Sequence, residues 1–245
     1  NALVGNGVSM VTLYYLRRFL EFFENLVKNA TVESTEISVE LMRFFNELLE
    51  TLVSHKQILS GKVSDKDRKS VLDGLGEAGS KYRMGVYQKG FSSDKSGISK
   101  KQLLDFITIT KAYLDHSIVA NKRADKLYHA YNIMTIKNDK EVSISYLSEM
   151  LEGQVAALSS GYLSPKEALE LLDGLKSSAL FRADQYSYVL YPNRELARFD
   201  KKNNIPSVKV EKSELLKKLI ANGNSQIVEK DVLGNYHFNG SFHNA

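Results

Sequence analysis

The sequence predicts a mainly α fold of antiparallel helical hairpins with a small β region. Three observations carry that expectation. Apolar residues recur at helical spacing through most of the chain, helix-start signals precede several of those runs, and only 3 of the 245 residues are proline. Short loops between successive helices favour antiparallel neighbours, hence hairpins.

In chain order, residues 9–28 predict a helix in which Arg17, Glu21, Glu24 and Lys28 share one stripe. Most of its circumference is left apolar, so it is expected to be mostly buried. Residues 36–59 predict a second helix with Leu41, Phe45, Leu48 and Leu52 inward and Arg43, Glu47 and Glu50 outward. A third opens at "VSDKDRKSVL", with Ser64 or Asp65 as N-cap, and continues its inner face through Val71, Leu75, Ala78 and Tyr82. "FSSDKSG" at 91–97 is a break. Ser99 and Gln102 then form a capping box for a fourth helix, carried by Leu103, Phe106, Ile107, Leu114 and Ile118.

The texture changes at "LYHAYNIMTI" (127–136), aromatic and β-branched, which reads as a strand, with "KNDKE" after it as a turn. A fifth helix is expected over 143–161, ending at Gly161, and a sixth begins with Ser164, Pro165 and Glu167. "YSYVLY" reads as a short strand, a seventh helix falls near 211–222, and "IVEKDVLGNYHF" reads as a hairpin turning near Leu233–Asn235. The β region therefore comprises 127–136, 186–191 and 227–238. Residues 1–123 are expected to form a helical hairpin region and 124–245 a helical region with short strands, packed together as one domain.

The totals exclude several classes. Without cysteine there is no disulfide, thiolate metal site or cysteine nucleophile, and a cytoplasmic location is expected. The formal charge of +4 comes from 33 basic and 29 acidic residues that are interspersed, so no nucleic-acid partner is expected. "VSMVTLYYLRRFLEFFENLV" is interrupted by Arg17, Arg18, Glu21 and Glu24, so no membrane partner is expected either. The chain starts "NA" rather than with methionine, and a fragment of a larger protein is expected. No two of the five histidines stand at i, i+4, and neither metal nor other cofactor is expected. "GLGEAG" (74–79) has dinucleotide-loop spacing but no strand before it; close helix approach explains it better.

Three stretches gather chemistry. "YLSEMLEGQ" puts Glu149 and Glu152 one helical turn apart; paired carboxylates can cleave glycosides, or can form a solvated helix flank. "NKRADKLYHAYN" carries Arg123, Asp125, Tyr128, His129, Tyr131 and Asn132. "FRADQYSYVLYPNRELARF" carries Arg182, Asp184, Gln185, Tyr186, Tyr188, Tyr191 and Arg194. Aromatic rings stack on sugar faces while Asp, Asn and Arg meet hydroxyls; the same groups can instead cap and pair within the scaffold.

Those segments, with "YLSEMLEGQVAALSSGYLSPKEAL" and "EKDVLGNYHFNGSFHNA", resemble a region of large bacterial proteins described as cellobiose-phosphorylase-like or six-hairpin glycosidase-like. The resemblance covers about residues 115–245. It implies part of an (α/α) hairpin toroid in a carbohydrate-active protein. Its chemistry would be an inverting phosphorolysis in which a carboxylic acid protonates the glycosidic oxygen while phosphate attacks. The implied partners are an oligosaccharide, phosphate and the remainder of a larger parent chain. The family's catalytic acid matches no residue here. Two readings follow: a saccharide-facing part of such an enzyme, inactive alone, or a non-catalytic helical structural or interaction domain.

Overall fold

The computed structural model describes residues 5–193 and 195–242, apart from the side chain of Asp200. The chain is mainly α with small antiparallel sheets, as the sequence predicts. It divides into two compact units, 1–193 and 194–245.

The first unit begins with β1 (Gly7–Ser9), α1 (Met10–Asn29), β2 (Ser34–Ser38) and α2 (Val39–Ser54). After a 3-10 turn at Lys56–Ser60 come α3 (Asp65–Lys89), β3 (Lys95–Ser99) and α4 (Lys100–Ala120). Then follow β4 (Tyr131–Lys137), β5 (Glu141–Tyr146), α5 (Leu151–Ser159), α6 (Pro165–Lys176), β6 (Phe181–Arg182) and β7 (Ser187–Tyr188). The second unit holds α7 (Phe199–Lys202), α8 (Ser207–Glu211), α9 (Glu214–Ala221), β8 (Val228–Lys230) and β9 (Tyr236–Phe238).

Five helices of the first unit start in the same way. Ser9, Ser38, Ser64, Ser99 and Ser164 each accept a hydrogen bond from a backbone N–H of the first turn. A branched apolar residue (Val8, Ile37, Val63, Ile98 or Leu163) precedes each serine. Serine satisfies an orphan donor, and an apolar residue just outside the cap suits a hydrophobic staple. Ser99 with Gln102 and Ser164 with Glu167 complete reciprocal capping boxes. In three cases the apolar–serine pair also ends a strand. β2 and β3 pair antiparallel, Ser34 opposite Ser99 and Ser38 opposite Lys95, so α2 and α4 leave opposite ends of one ribbon.

The main sheet has the order β1-β4-β5 and is antiparallel throughout. A three-residue loop joins β4 to β5: Asn138 and Asp139, at φ of +50° and +53°, form a tight turn closed by the Lys140 N–H on the Lys137 carbonyl, with Lys137 opposite Glu141. That hairpin corrects one expectation: residues 141–146 are strand, and the fifth helix begins at Leu151 rather than at 143. Val142 and Ile144 alternate with polar residues at period two, and pairing with β4 overrides the helical spacing.

The core is a set of linked clusters. Met10, Tyr14, Ile118, Tyr128, Ala156, Ala157 and Leu171 form one, drawing on α1, α4, α5 and α6. Leu20, Val27, Ile107 and Leu114 join α1 to α4, and Met42, Phe45 and Ile98 join α2 to β3. Glycine permits two close approaches. A Cβ on Gly74 would lie 2.6 Å from Thr51 of α2, and one on Gly153 would lie 2.7 Å from Ala130. Close helix packing thus accounts for Gly74 of "GLGEAG", inside α3, whereas Gly76 and Gly79 face open space.

α1 corrects a second expectation. It is not mostly buried: Tyr15, Leu16, Phe19, Phe22 and Leu26 are 42–62% exposed. Arg17 and Glu24 of its polar stripe point inward instead, while Lys28 stays exposed. Arg17, 8% exposed, donates to Asp115 of α4 at 3.0 Å and to the Ser160 carbonyl at 3.1 Å, and Lys111 of α4 bridges Glu21 and Glu24. Lys111 hydrogen-bonds both glutamates and holds their carboxyls below the usual range. A stripe met by opposite charges is not a solvent face.

In the second unit, Asp231 accepts from the amides of Leu233 and Asn235, with Gly234 at φ +88°, and so turns β8 into β9 where the sequence places the turn. Among the described residues no helix is long and apolar enough to cross a membrane.

Candidate functional site

The chemistry-bearing stretches come to three places in the first unit. The first is the loop between α4 and β4. Arg123 grips Asp125 with two nitrogens, Nε at 3.0 Å and Nη2 at 2.6 Å, and its Nη2 lies 3.2 Å from Glu149. Asp125 also accepts from the Leu127 amide, and the backbone N–H of Arg123 donates to the Leu127 carbonyl. The Arg123 contact holds the Asp125 carboxyl below its usual range, and Asp125 raises Arg123. A Cβ on Gly174 of α6 would lie 2.7 Å from the Asp125 carbonyl, so this loop sits directly on α6.

Tyr128 belongs to the core. It is 1% exposed and meets Tyr14 edge to face at 6.4 Å. Burial pushes its hydroxyl up to about 12. Its backbone is clamped by Gln154, wholly buried on α5, which accepts from the Tyr128 N–H and donates to its carbonyl, both at 2.8 Å. His129 stacks on Tyr146 at 4.2 Å, a contact between β5 and the loop that nothing in the sequence signals. Burial first, then the Arg123 guanidinium, push its imidazole below the usual value.

The second place is the start of β4. Tyr131 lies beside Glu152 and Ser9; burial first and then the Glu152 carboxylate raise its hydroxyl, and Tyr191 lies near enough to add to the effect. Because α5 starts only at Leu151, Glu149 and Glu152 do not share a helix flank. Glu149 turns to Arg123 and Glu152 to Tyr131, which corrects the expected one-turn pair.

The third place is the β6–β7 hairpin. Arg182 grips Asp184 at 2.9 and 2.7 Å, and Gln185 accepts from the Ser187 hydroxyl at 3.3 Å. Tyr186, at φ +50°, is 76% exposed, lies edge-on to Phe181, and has the Lys176 ammonium 5.7 Å from its ring centre. Tyr188 and Tyr191 are 40% and 54% exposed. The hairpin is anchored from behind: the Leu151 amide donates to the Leu190 carbonyl, and Val189 packs on Leu127, Leu175 and Leu180. Arg194 lies outside the described residues. Among the described residues no group of three His, Asp or Glu side chains could hold a metal ion.

Chemically, then, the Asp125 and Glu149 carboxylates are already engaged by Arg123, and the hairpin offers open aromatic faces beside two cations. Lys176 had no signal in the sequence, because it reaches Tyr186 from the end of α6.

Comparison with known proteins adds one match. Residues 196–245 fit the model for a GH149 phosphorylase insertion domain, insertion domain 2. The fit covers the second unit almost end to end and leaves the first unmatched. It supports a glycoside-phosphorylase-related region, without pointing to cellobiose phosphorylases in particular. No curated protein matches the chain.

Proposed function

We propose that this chain is an insertion module of a glycoside-phosphorylase-like protein, presenting a saccharide-facing surface and carrying no acid–base machinery of its own. The observation that carries this reading is the phosphorylase insertion-domain match over residues 196–245. The exposed hairpin supports the saccharide. Tyr186, Tyr188 and Tyr191 offer flat apolar faces, Lys176 and Arg182 stand beside them, and a sugar ring needs that combination of face and donor. In this reading Tyr131, Asp184, Gln185, Tyr186 and Tyr188 meet the saccharide, with Arg182 and Lys176 available to phosphate. Arg123, Asp125, Tyr128 and Glu149 hold the loop beneath.

Engagement of the carboxylates supports the non-catalytic part. Cleavage needs one carboxylic acid and one base or nucleophile facing a common bond. Glu149 instead neutralises Arg123, and Glu152 lies on a different side, beside Tyr131.

The test is NMR titration of the folded chain with gluco-oligosaccharides, with and without phosphate, alongside an assay for phosphorolysis. We expect shifts at Tyr186 and Tyr188, their loss in Tyr188→Ala, their retention in Glu149→Gln, and no turnover. Turnover that disappears in Glu152→Gln would overturn the non-catalytic part. A silent spectrum across the panel would overturn the saccharide-facing part.

A further inference from the structure

The largest cavity described lies elsewhere in the first unit. It is a cleft of about 690 Å3 between α3, the last turns of α4, the 58–63 segment and one face of the β1-β4-β5 sheet. Its wall is mostly apolar, with Leu13 of α1, Leu72 and Leu75 of α3, Val119 of α4 and Ile144 of β5 among the lining side chains. Its rim is open to solvent, where Lys62 and Tyr146 are exposed. Apart from Tyr146, no residue of the three places described above lines it.

Most of its polar groups are engaged within the fold. The Tyr113 hydroxyl donates to the Leu52 carbonyl, the Ser117 hydroxyl to the Tyr113 carbonyl, and Arg68 to Asp65 and to the Val142 carbonyl. Asn132 donates to Asn121 at 2.7 Å, and its own Oδ1 is sealed beneath the wall, out of a ligand's reach. His116 Nε2 donates to the Gly61 carbonyl at 2.7 Å; its other ring nitrogen accepts in the neutral form and donates in the charged one. Two groups remain free, and both can donate. Among the described residues, neither the Lys62 ammonium nor the Tyr146 hydroxyl has a hydrogen-bond or ion-pair partner. Among the described residues, too, no aspartate or glutamate lines the cleft.

We propose that this cleft binds a small monocarboxylate amphiphile, an alkyl or arylalkyl carboxylate, with its apolar body on the wall and its carboxylate at Lys62. An ammonium only donates and a carboxylate only accepts, so rim and head group match in charge and in hydrogen-bonding sense. The free Tyr146 hydroxyl can donate to the same kind of group, and a nearby anion favours the charged form of His116. No lining carboxylate competes for Lys62 or repels the ligand. The volume falls within the range of small-molecule sites. A saccharide is the wrong class, because its many hydroxyls would meet an apolar wall. An alkylammonium is wrong as well, since it sets like charge against Lys62. This site is separate from the hairpin surface and stands or falls independently of it.

Three matched probes test it on the intact chain: octanoate, 1-octanol and octylammonium, titrated by NMR and calorimetry at low salt. They share the apolar body and differ in the head group. We expect octanoate to bind about fivefold more tightly than octanol, the upper value for an exposed ion pair, and octylammonium to bind weakest. The octanoate advantage should shrink at high salt. Lys62→Gln, at an exposed and unpaired position, should make octanoate and octanol equal in a chain that remains folded. Ala120→Trp, at an exposed wall position at the end of α4, should abolish binding of all three. Equal affinities for octanoate and octanol in the unaltered chain, or an octanoate preference that survives Lys62→Gln, would overturn the proposal. So would binding that survives Ala120→Trp, or no binding of any probe.

Discussion

The two compact units are held by different forces. Residues 1–193 contain linked apolar clusters, with Tyr14, Ile118, Leu127, Leu171 and Leu180 fully buried. In 194–245, the buried apolar side chains among the described residues are Val210 and Val228. There the hairpin is clamped by polar groups. Asn203 accepts from the Phe238 amide at 3.1 Å and donates to the Phe238 carbonyl at 3.3 Å. Its own carbonyl meets His237 Nδ1, whose Nε2 lies 2.9 Å from Asp231. A segment this short buries too little apolar surface to rely on a core, so oriented polar pairs carry more of its order. The comparison teaches that polar residues mark structure in the second unit as firmly as leucine marks it in the first.

The strongest way to sharpen this contrast is a cavity. Leu171→Ala in the first unit should cost about 3 kcal/mol, because a fully buried side chain in a multi-helix cluster cannot be refilled cheaply. Urea unfolding followed by residue-resolved NMR would show it as an early transition of residues 10–175. Next in size, Asn203→Ala should destabilise the β8–β9 hairpin by about 1 kcal/mol through two lost hydrogen bonds. If the hairpin amides exchange no faster in that variant, the polar clamp is not what holds the second unit, and the comparison fails.

The smallest expected effect is a pH dependence of opposite sign in the two units. Asp231 and the Asn203 carbonyl raise His237, so the folded second unit binds its proton more tightly than the unfolded chain. That contribution is full below the ordinary histidine value of about 6.5 and is lost as pH rises through the folded value. His129 is lowered by burial and by Arg123, so the unfolded chain binds its proton more tightly. Its penalty is absent above about 6.5 and grows as pH falls. Lowering pH from about 7.5 to 5.5 should therefore move the first unit's urea midpoint down and the second unit's up. Asp231 stays ionised there, its carboxyl held far below the usual range by His237. Midpoints that move together would remove the histidine part of the comparison.

Much of the local architecture was legible in the sequence, because its causes are local. Ser64, Ser99–Gln102 and Ser164–Pro165–Glu167 start helices through contacts three residues away, and the turn at Asn138–Asp139 needs only its own two residues. The apolar–serine pair that ends β1, β2 and β3 was also visible, but it reads equally well as a loop before a cap. Its strand character depends on a partner: β2 needs β3, some sixty residues on.

The candidate site was legible in residue type and not in arrangement. Tyr186 and Tyr188 are exposed rings, as a ligand surface requires, whereas Tyr128, from the same kind of aromatic-polar stretch, is sealed in the core. Nothing in "NKRADKLYHAYN" distinguishes a ring that faces water from one that faces Tyr14.

By itself, then, the sequence determined most of the long helices, the caps at Ser64, Ser99 and Ser164, the tight turns and the mainly α class, since backbone hydrogen bonds within a few residues settle each of these. Tertiary structure alone decided which way α1 faces, whether 143–146 is helix or strand, and that Glu149 turns to Arg123 while Glu152 turns to Tyr131. The physical reason is distance along the chain. Arg17 finds Asp115 98 residues away and Lys111 finds Glu21 90 residues away, and a charge stripe reads as solvent-facing until its counter-charges are in place.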